Sequence, residues 1–177
     1  MYYVIQVKTG KEDKAIEDIK KYKKDQDYDF EIFSPYRESL RKYNGQYKVV
    51  KERCFPGYIF VETIDIKQLF FDLYWVEGYT RLLGREGTSY NFVPLNKDES
   101  RMIDILYNAN TDRTTEISDI EVIEGDKIRI VDGPLMGIQS EIKKVNLHKR
   151  TVTIEFELCN RTVEAKVGIN IISKVSD

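Results

Sequence analysis

The chain has 177 residues, 41% of them hydrophobic and 33% charged, a composition that suits a soluble globular protein of one large or two small domains. No stretch approaches the roughly 18 consecutive apolar residues of a membrane span, and no charged leader precedes an apolar run, so a cytoplasmic protein without membrane contact is expected. The formal net charge of −2 excludes a global positive field, so affinity for nucleic acid has to come from local patches.

Tyr2 to Val7 is β-branched and aromatic enough for a strand, and it runs into Thr9-Gly10-Lys11-Glu12. That order has the form of a capping box, after which Ala15, Ile16, Ile19 and Tyr22 recur at helical spacing. Lys20, Lys21, Lys23 and Lys24 fall at the helix end, where cations complement the macrodipole; a solvated helix end explains them without a ligand. After the polar stretch Asp25 to Asp29, Phe30 to Phe33 reads as a second strand, stopped near Pro35.

Asn44-Gly45 between Tyr36–Tyr43 and Gln46–Cys54 predicts a hairpin, because a type I′ turn needs positive φ at both central positions. The hairpin carries Arg37, Arg41, Lys42, Lys48, Lys51 and Arg53, and its tip is expected to project. Phe55-Pro56-Gly57 then makes a sharp turn into the strand Tyr58 to Val61, with Tyr58 and Phe60 on one face of the pleat. Taken alone, that face reads as core.

Asp65 is placed to cap a helix whose apolar face holds Ile66, Leu69, Phe70 and Leu73. A strand from about Thr80 to Leu83 ends at Gly84. Asn96 with Glu99 marks a third helix, with Met102, Ile103 and Leu106 facing inward. This order predicts an α+β N-terminal domain over residues 1–108, an antiparallel sheet with helices packed against it. From Asn108 to Asp119 the apolar pattern gives way to Asn, Thr, Asp, Arg and Ser, and residues 109–120 read as a linker. Beyond it the period is two. Lys127–Val131, Ile138–Val145, Thr151–Glu157, Arg161–Val167 and Asn170–Lys174 predict five short strands, so residues 121–177 form a small all-β barrel.

The chain shows no constellation for catalysis. His148 is the only histidine and has no Cys or carboxylate at metal-ligand spacing. Gly84-Arg85-Glu86-Gly87 lacks the Lys-Ser/Thr ending of a phosphate cradle. Cys54 and Cys159 form no paired motif, which fits a reducing compartment and gives Cys54 the role of a small buried hydrophobe. A non-enzymatic binding protein with no metal and no cofactor is expected.

The Tyr-Tyr-Val-Ile-Gln-Val opening, Phe55 to Phe60 and Arg81-Leu82-Leu83-Gly84 resemble the N-terminal domain of the NusG transcription factors. Gly125-Asp126 and Val131-Asp132-Gly133-Pro134-Leu135-Met136-Gly137 resemble a KOW domain, which implies an SH3-like barrel. The resemblance covers essentially the whole chain. It implies that the N-terminal domain sits on RNA polymerase and grips the clamp helices of the largest subunit in an apolar pocket. Matched motif to motif, Phe55, Tyr58, Phe60 and Leu83 would line that pocket, with Tyr2 or Tyr3 near its rim.

Two positions depart from the general pattern. Cys159 stands before Asn160-Arg161, where the housekeeping factor carries an aromatic for a ribosomal protein, and Ser140 stands where KOW motifs place a second glycine. Thr9-Gly10-Lys11-Glu12-Asp13 and Val167-Gly168-Ile169 make the chain more similar to the specialised LoaP-type paralogues. That likeness implies antitermination and a structured leader RNA as partner. A monomer is expected. Lys143, Lys144, Asn146, His148, Lys149 and Arg150 cluster around the turn between the second and third predicted barrel strands and would supply the RNA contacts. An ordinary solvated hairpin is the competing reading, since Glu121 to Asp177 carries nine Lys/Arg against nine Asp/Glu. The alternatives are a general NusG factor coupling polymerase to ribosome or termination factor, and a ribosome-associated RNA-binding KOW protein.

Overall fold

The computed structural model describes residues 1–23, 29–76, 81–83, 92–124 and 127–174. Lys24, the stretch from Asp25 to Tyr28, Thr80, Gly84 to Gly87 and Gly125-Asp126, all used in the sequence reading, lie outside the described residues. The chain divides into one unit of Met1–Pro35 with Phe55–Ser100 and another of Tyr36–Cys54 with Arg101–Asp177.

In the first unit, β1 (Tyr2–Gln6), β2 (Phe30–Phe33), β5 (Tyr58–Thr63) and β6 (Arg81–Leu82) form a sheet in the order β2-β5-β1-β6. β5 pairs antiparallel with both β1 and β2. Pleat alternation sends Tyr3, Ile5, Ile59, Val61, Phe30 and Ile32 to one face, where they join Ala15 and Ile19 of α1 (Glu12–Lys23) and Ile66 and Leu69 of α2 (Ile66–Asp72) in one apolar cluster. Asp65 caps α2 as expected, accepting the Gln68 N–H at 3.3 Å. The start of α3 (Lys97–Leu106) realises its predicted capping box: Asn96 Oδ1 accepts the Asp98 and Glu99 N–H groups at 2.9 Å, and Glu99 reaches back to the Asn96 N–H at 2.7 Å.

The second unit holds the hairpin of β3 (Tyr36–Tyr43) and β4 (Gln46–Arg53), eight residues to each arm. Asn44 and Gly45 take φ of 49° and 84°, the positive pair that the tight turn requires. The segment read as a linker carries a 3₁₀ turn at Ala109–Thr111, then β7 (Thr114–Thr115), which pairs parallel with β3, and the first residues of β8 (Ser118–Glu124). Polar composition concealed these elements because their order comes from hydrogen bonds: Thr115 Oγ1 donates to the Leu106 carbonyl at 2.5 Å, and Arg113 donates to that of Tyr107 at 3.2 Å.

β8, β9 (Lys127–Asp132), β10 (Ile142–Asn146), β11 (Thr151–Leu158) and β12 (Arg161–Lys174) form a five-stranded sheet in the order β10-β11-β12-β8-β9. The strand expected over Ile138–Val145 begins only at Ile142. Two 3₁₀ turns, Pro134–Gly137 and Gln139–Glu141, precede it and bury Leu135 and Ile138 completely. The two last expected strands are one: β12 pairs with β11 as far as Gly168, then pairs parallel with β8 from Ile169. At that change of partner a Cβ on Gly168 would lie 2.5 Å from the Glu38 carbonyl oxygen, so glycine is what lets β12 approach β3 this closely. Among the described residues, no helix is long and apolar enough to cross a membrane.

Candidate functional sites

The first site grows from the Pro56-Gly57 turn. Gly57 has φ +86°, donates its N–H to Glu12 Oε1 at 2.6 Å and accepts the Val7 N–H at 2.8 Å. A Cβ there would stand 2.9 Å from Thr9 Oγ1. Glu12, read in sequence as half of a capping box, is buried and ties the first turn of α1 to this turn. Tyr58 donates its N–H to the Phe55 carbonyl at 3.1 Å, which closes the turn and sets both rings at the start of β5.

On the sheet face opposite the helix-packed cluster, the aromatic rings form a chain. Tyr2 meets Phe33 edge-on at 6.3 Å, Phe33 stacks on Phe60 at 5.8 Å, and Phe55 tilts against Phe60 at 5.8 Å. Each such pair adds about 0.5–1.5 kcal/mol beyond its buried area. Phe60 is fully buried and Tyr2 is 7% exposed, so both serve as packing beneath the surface rather than as its outer layer. Phe55, Tyr58 and Leu83 are half-buried. Of the five residues assigned to a polymerase pocket, these three are the ones a partner can touch.

The second site is a cleft of about 610 Å³ in the second unit, lined by residues of the β3–β4 hairpin, the β10–β11 turn and β12. Its charged lining is Arg37, Arg41, Lys42, Lys149 and Lys166 against the single carboxylate of Glu52, with His148 beside them. Arg37 holds Glu52 Oε2 at 2.9 Å, Arg41 bonds the other carboxylate oxygen, and Ser39 Oγ donates to Oε2 at 3.1 Å. Burial alone would raise the Glu52 pKa, but the hydrogen bonds from Arg37, Arg41 and Ser39 and the charge of Arg37 outweigh it and hold the carboxyl below its ordinary value. The Arg37 guanidinium also donates to the Lys166 carbonyl at 3.4 Å.

The six residues assigned to RNA divide in this geometry. His148 and Lys149 are exposed and line the cleft. Lys144 is exposed but is not part of the cleft lining. Lys143 is bonded to Glu155 and lies 2.8 Å from Glu164, and those hydrogen bonds drive its pKa up and pull that of Glu164 down. Lys143 is exposed, but its charge is already paired with two carboxylates at the surface. Asn146 Oδ1 accepts the Lys149 N–H at 2.8 Å and so shapes the turn. Arg150, at φ +54°, lies over the Tyr47 ring at 4.7 Å.

Other hairpin cations are engaged elsewhere: Lys51 pairs with Asp112 at 3.1 Å, and Arg53 donates to the Tyr36 hydroxyl at 2.7 Å. The junction of hairpin, turn and β12 escaped the sequence reading because about a hundred residues separate its parts. The one local signal is Gly168, singled out in sequence only for its likeness to relatives. Cys54, expected to be a small buried hydrophobe, is only half-buried; its thiol is pushed up to about 11, mainly by desolvation, beside the hydroxyl of Tyr107. Among the described residues, no group of His, Cys, Asp and Glu is placed to hold a metal.

The first unit is a sheet backed by helices with an aromatic cluster on its other face, and the second is a β-rich unit with a basic cleft. The family model described as "Transcription termination factor nusG" matches residues 1–104, and the chain belongs to the NusG family, whose members are non-enzymatic transcription factors. The transcription termination/antitermination protein NusG of Bacillus subtilis (strain 168) is 26% identical over 177 residues, covering 98% of each chain. That of Staphylococcus carnosus (strain TM300) is 24% identical, covering 98% of this chain and 95% of the relative. A solved structure described as "Domain interaction in Thermotoga maritima NusG" shares the fold, with a TM-score of 0.51 and 20% identity over 94% of this chain and 92% of that one.

Proposed function

We propose that this NusG-family factor is of the specialised, antiterminating kind. Phe55, Tyr58 and Leu83 dock on the clamp helices of the largest RNA polymerase subunit, and the C-terminal residues recruit a structured leader RNA. NusG-family factors interact with RNA polymerase, and the half-buried aromatic edge at Phe55 and Tyr58 is the observation that carries this reading. Aromatic anchors of this type can each contribute about 2 kcal/mol or more once desolvated. In functional terms, residues 1–108 serve polymerase, 109–120 connect, and 121–177 act as a KOW domain in a monomeric protein.

The full-length likeness to NusG of Bacillus subtilis favours a second reading, a general factor without a dedicated RNA. In vitro transcription through a terminator separates the two. Readthrough that requires the leader RNA supports the specialised role, and readthrough or pausing indifferent to the leader supports the general one.

A further inference from the structure

The cleft of the second unit joins two cationic segments that are remote in sequence, and neither segment makes a site alone. From the hairpin come Arg37, Arg41 and Lys42; from the turn and β12 come Lys149 and Lys166. Arg41, Lys42, Lys149 and Lys166 are all exposed, so their charges are presented to solvent rather than buried. Glu52 engages Arg37 and Arg41 together, which fixes the two guanidinium planes; each guanidinium has five N–H donors and keeps some for a ligand. The Tyr47 ring lines the same cleft, 44% exposed, and carries the Arg150 guanidinium at 4.7 Å, so a base has to share the ring with that cation.

We propose that this cleft binds a short single-stranded stretch of RNA, with phosphates on Arg41, Lys42, Lys149 and Lys166 and a base against Tyr47. The inference rests on the reading of the chain as an RNA-binding factor, and it moves the centre of that activity from Lys143 and Lys144 to the hairpin. Several features select this ligand. The volume of about 610 Å³ lies in the range of small-ligand sites and admits a nucleotide or two, not a duplex. Five cations around one carboxylate call for a polyanion, and an exposed aromatic among them offers a base the stacking that an acidic peptide could not use. Single-stranded RNA has both phosphates and unstacked bases.

Fluorescence anisotropy with the full chain and a labelled single-stranded RNA of about 12 nucleotides tests this, at about 50 and 200 mM salt. A single-stranded DNA of the same sequence and a glutamate-rich peptide serve as comparison probes. The triple variant Lys42→Gln, Lys149→Gln, Lys166→Gln should bind the RNA at least tenfold more weakly. It should also lose about 2 from the slope of log affinity against log salt, since each single-strand phosphate contact is worth about 0.7. The double variant Lys143→Gln, Lys144→Gln should stay within twofold of the parent. Unchanged thermal melting of the triple variant shows that the loss is local.

RNA binding that survives the triple variant overturns the cleft and leaves the RNA reading standing. Equal affinity for the glutamate-rich peptide, or for the DNA, overturns RNA as the occupant. A full chain that binds no RNA at the lower salt removes the RNA reading and this inference together.

Discussion

The carboxylate of Glu12 accepts the backbone N–H of Gly57 at 2.6 Å, so the first turn of α1 holds the turn that presents Phe55 and Tyr58. Removing the acceptor orphans a buried donor, which typically costs 1–3 kcal/mol. Glu12→Ala should therefore lower stability by about 2 kcal/mol, while Glu12→Gln, which can still accept, should cost less. Urea unfolding of the two variants checks the order. Equal midpoints for parent and Glu12→Ala would show that the bond does not hold the turn.

Phe60 and Phe55 touch, yet their burial gives them different roles. Phe60→Ala empties a fully buried site and should cost about 3–5 kcal/mol. Phe55→Ala, at a half-buried site, should cost less than half of that. Thermal or urea melts measure both, and a Phe55→Ala loss as large as that of Phe60→Ala would place Phe55 in the core.

Glu52 should give the second unit an acid-sensitive component. Its carboxyl pKa in the folded state lies below the ordinary 4.5, so its contribution is fully present above that value and is lost as pH falls through the lower folded value. Glu52→Gln should therefore be less stable than the parent near neutral pH, with the difference closing below about pH 4. A difference constant with pH in urea midpoints would contradict the sign. The same substitution removes the one carboxylate charge of the cleft lining and should raise affinity for single-stranded RNA several-fold at about 50 mM salt.

At Gly168 β12 comes so near β3 that an added Cβ would lie 2.5 Å from the Glu38 carbonyl oxygen. Gly168→Ala would drive a methyl against the Glu38 carbonyl and should cost about 1–3 kcal/mol, the usual penalty of overpacking. Because hairpin and β12 both line the cleft, the variant should also bind single-stranded RNA more weakly. Unaltered stability and affinity would mean that β3 and β12 do not need this approach.

Local chemistry made much of the fold readable in sequence. The Asn44-Gly45 turn, the Asp65 cap and the Asn96/Glu99 box each depend on a few neighbouring residues, and each stands where its sequence predicts. Features that depend on distant partners were not readable. The strand pairing of Thr114–Thr115 with β3, the fusion of two expected strands into β12, and the displacement of the Ile138 strand by 3₁₀ turns all arise from packing across the unit. The candidate sites follow the same division. Phe55 and Tyr58 belong to a contiguous motif, and the structure leaves both half-buried. The pairing of Lys143 with Glu155 and Glu164, and the shared cleft that Lys42 and Lys149 line, exist only in three dimensions.

The most direct measurement is the affinity of the full chain for RNA polymerase clamp helices, compared with the double variant Phe55→Ala, Tyr58→Ala. The half-buried aromatic edge predicts a loss of at least tenfold, while the folded structure of the variant is retained. Undiminished binding by the double variant would contradict the docking of this edge on polymerase.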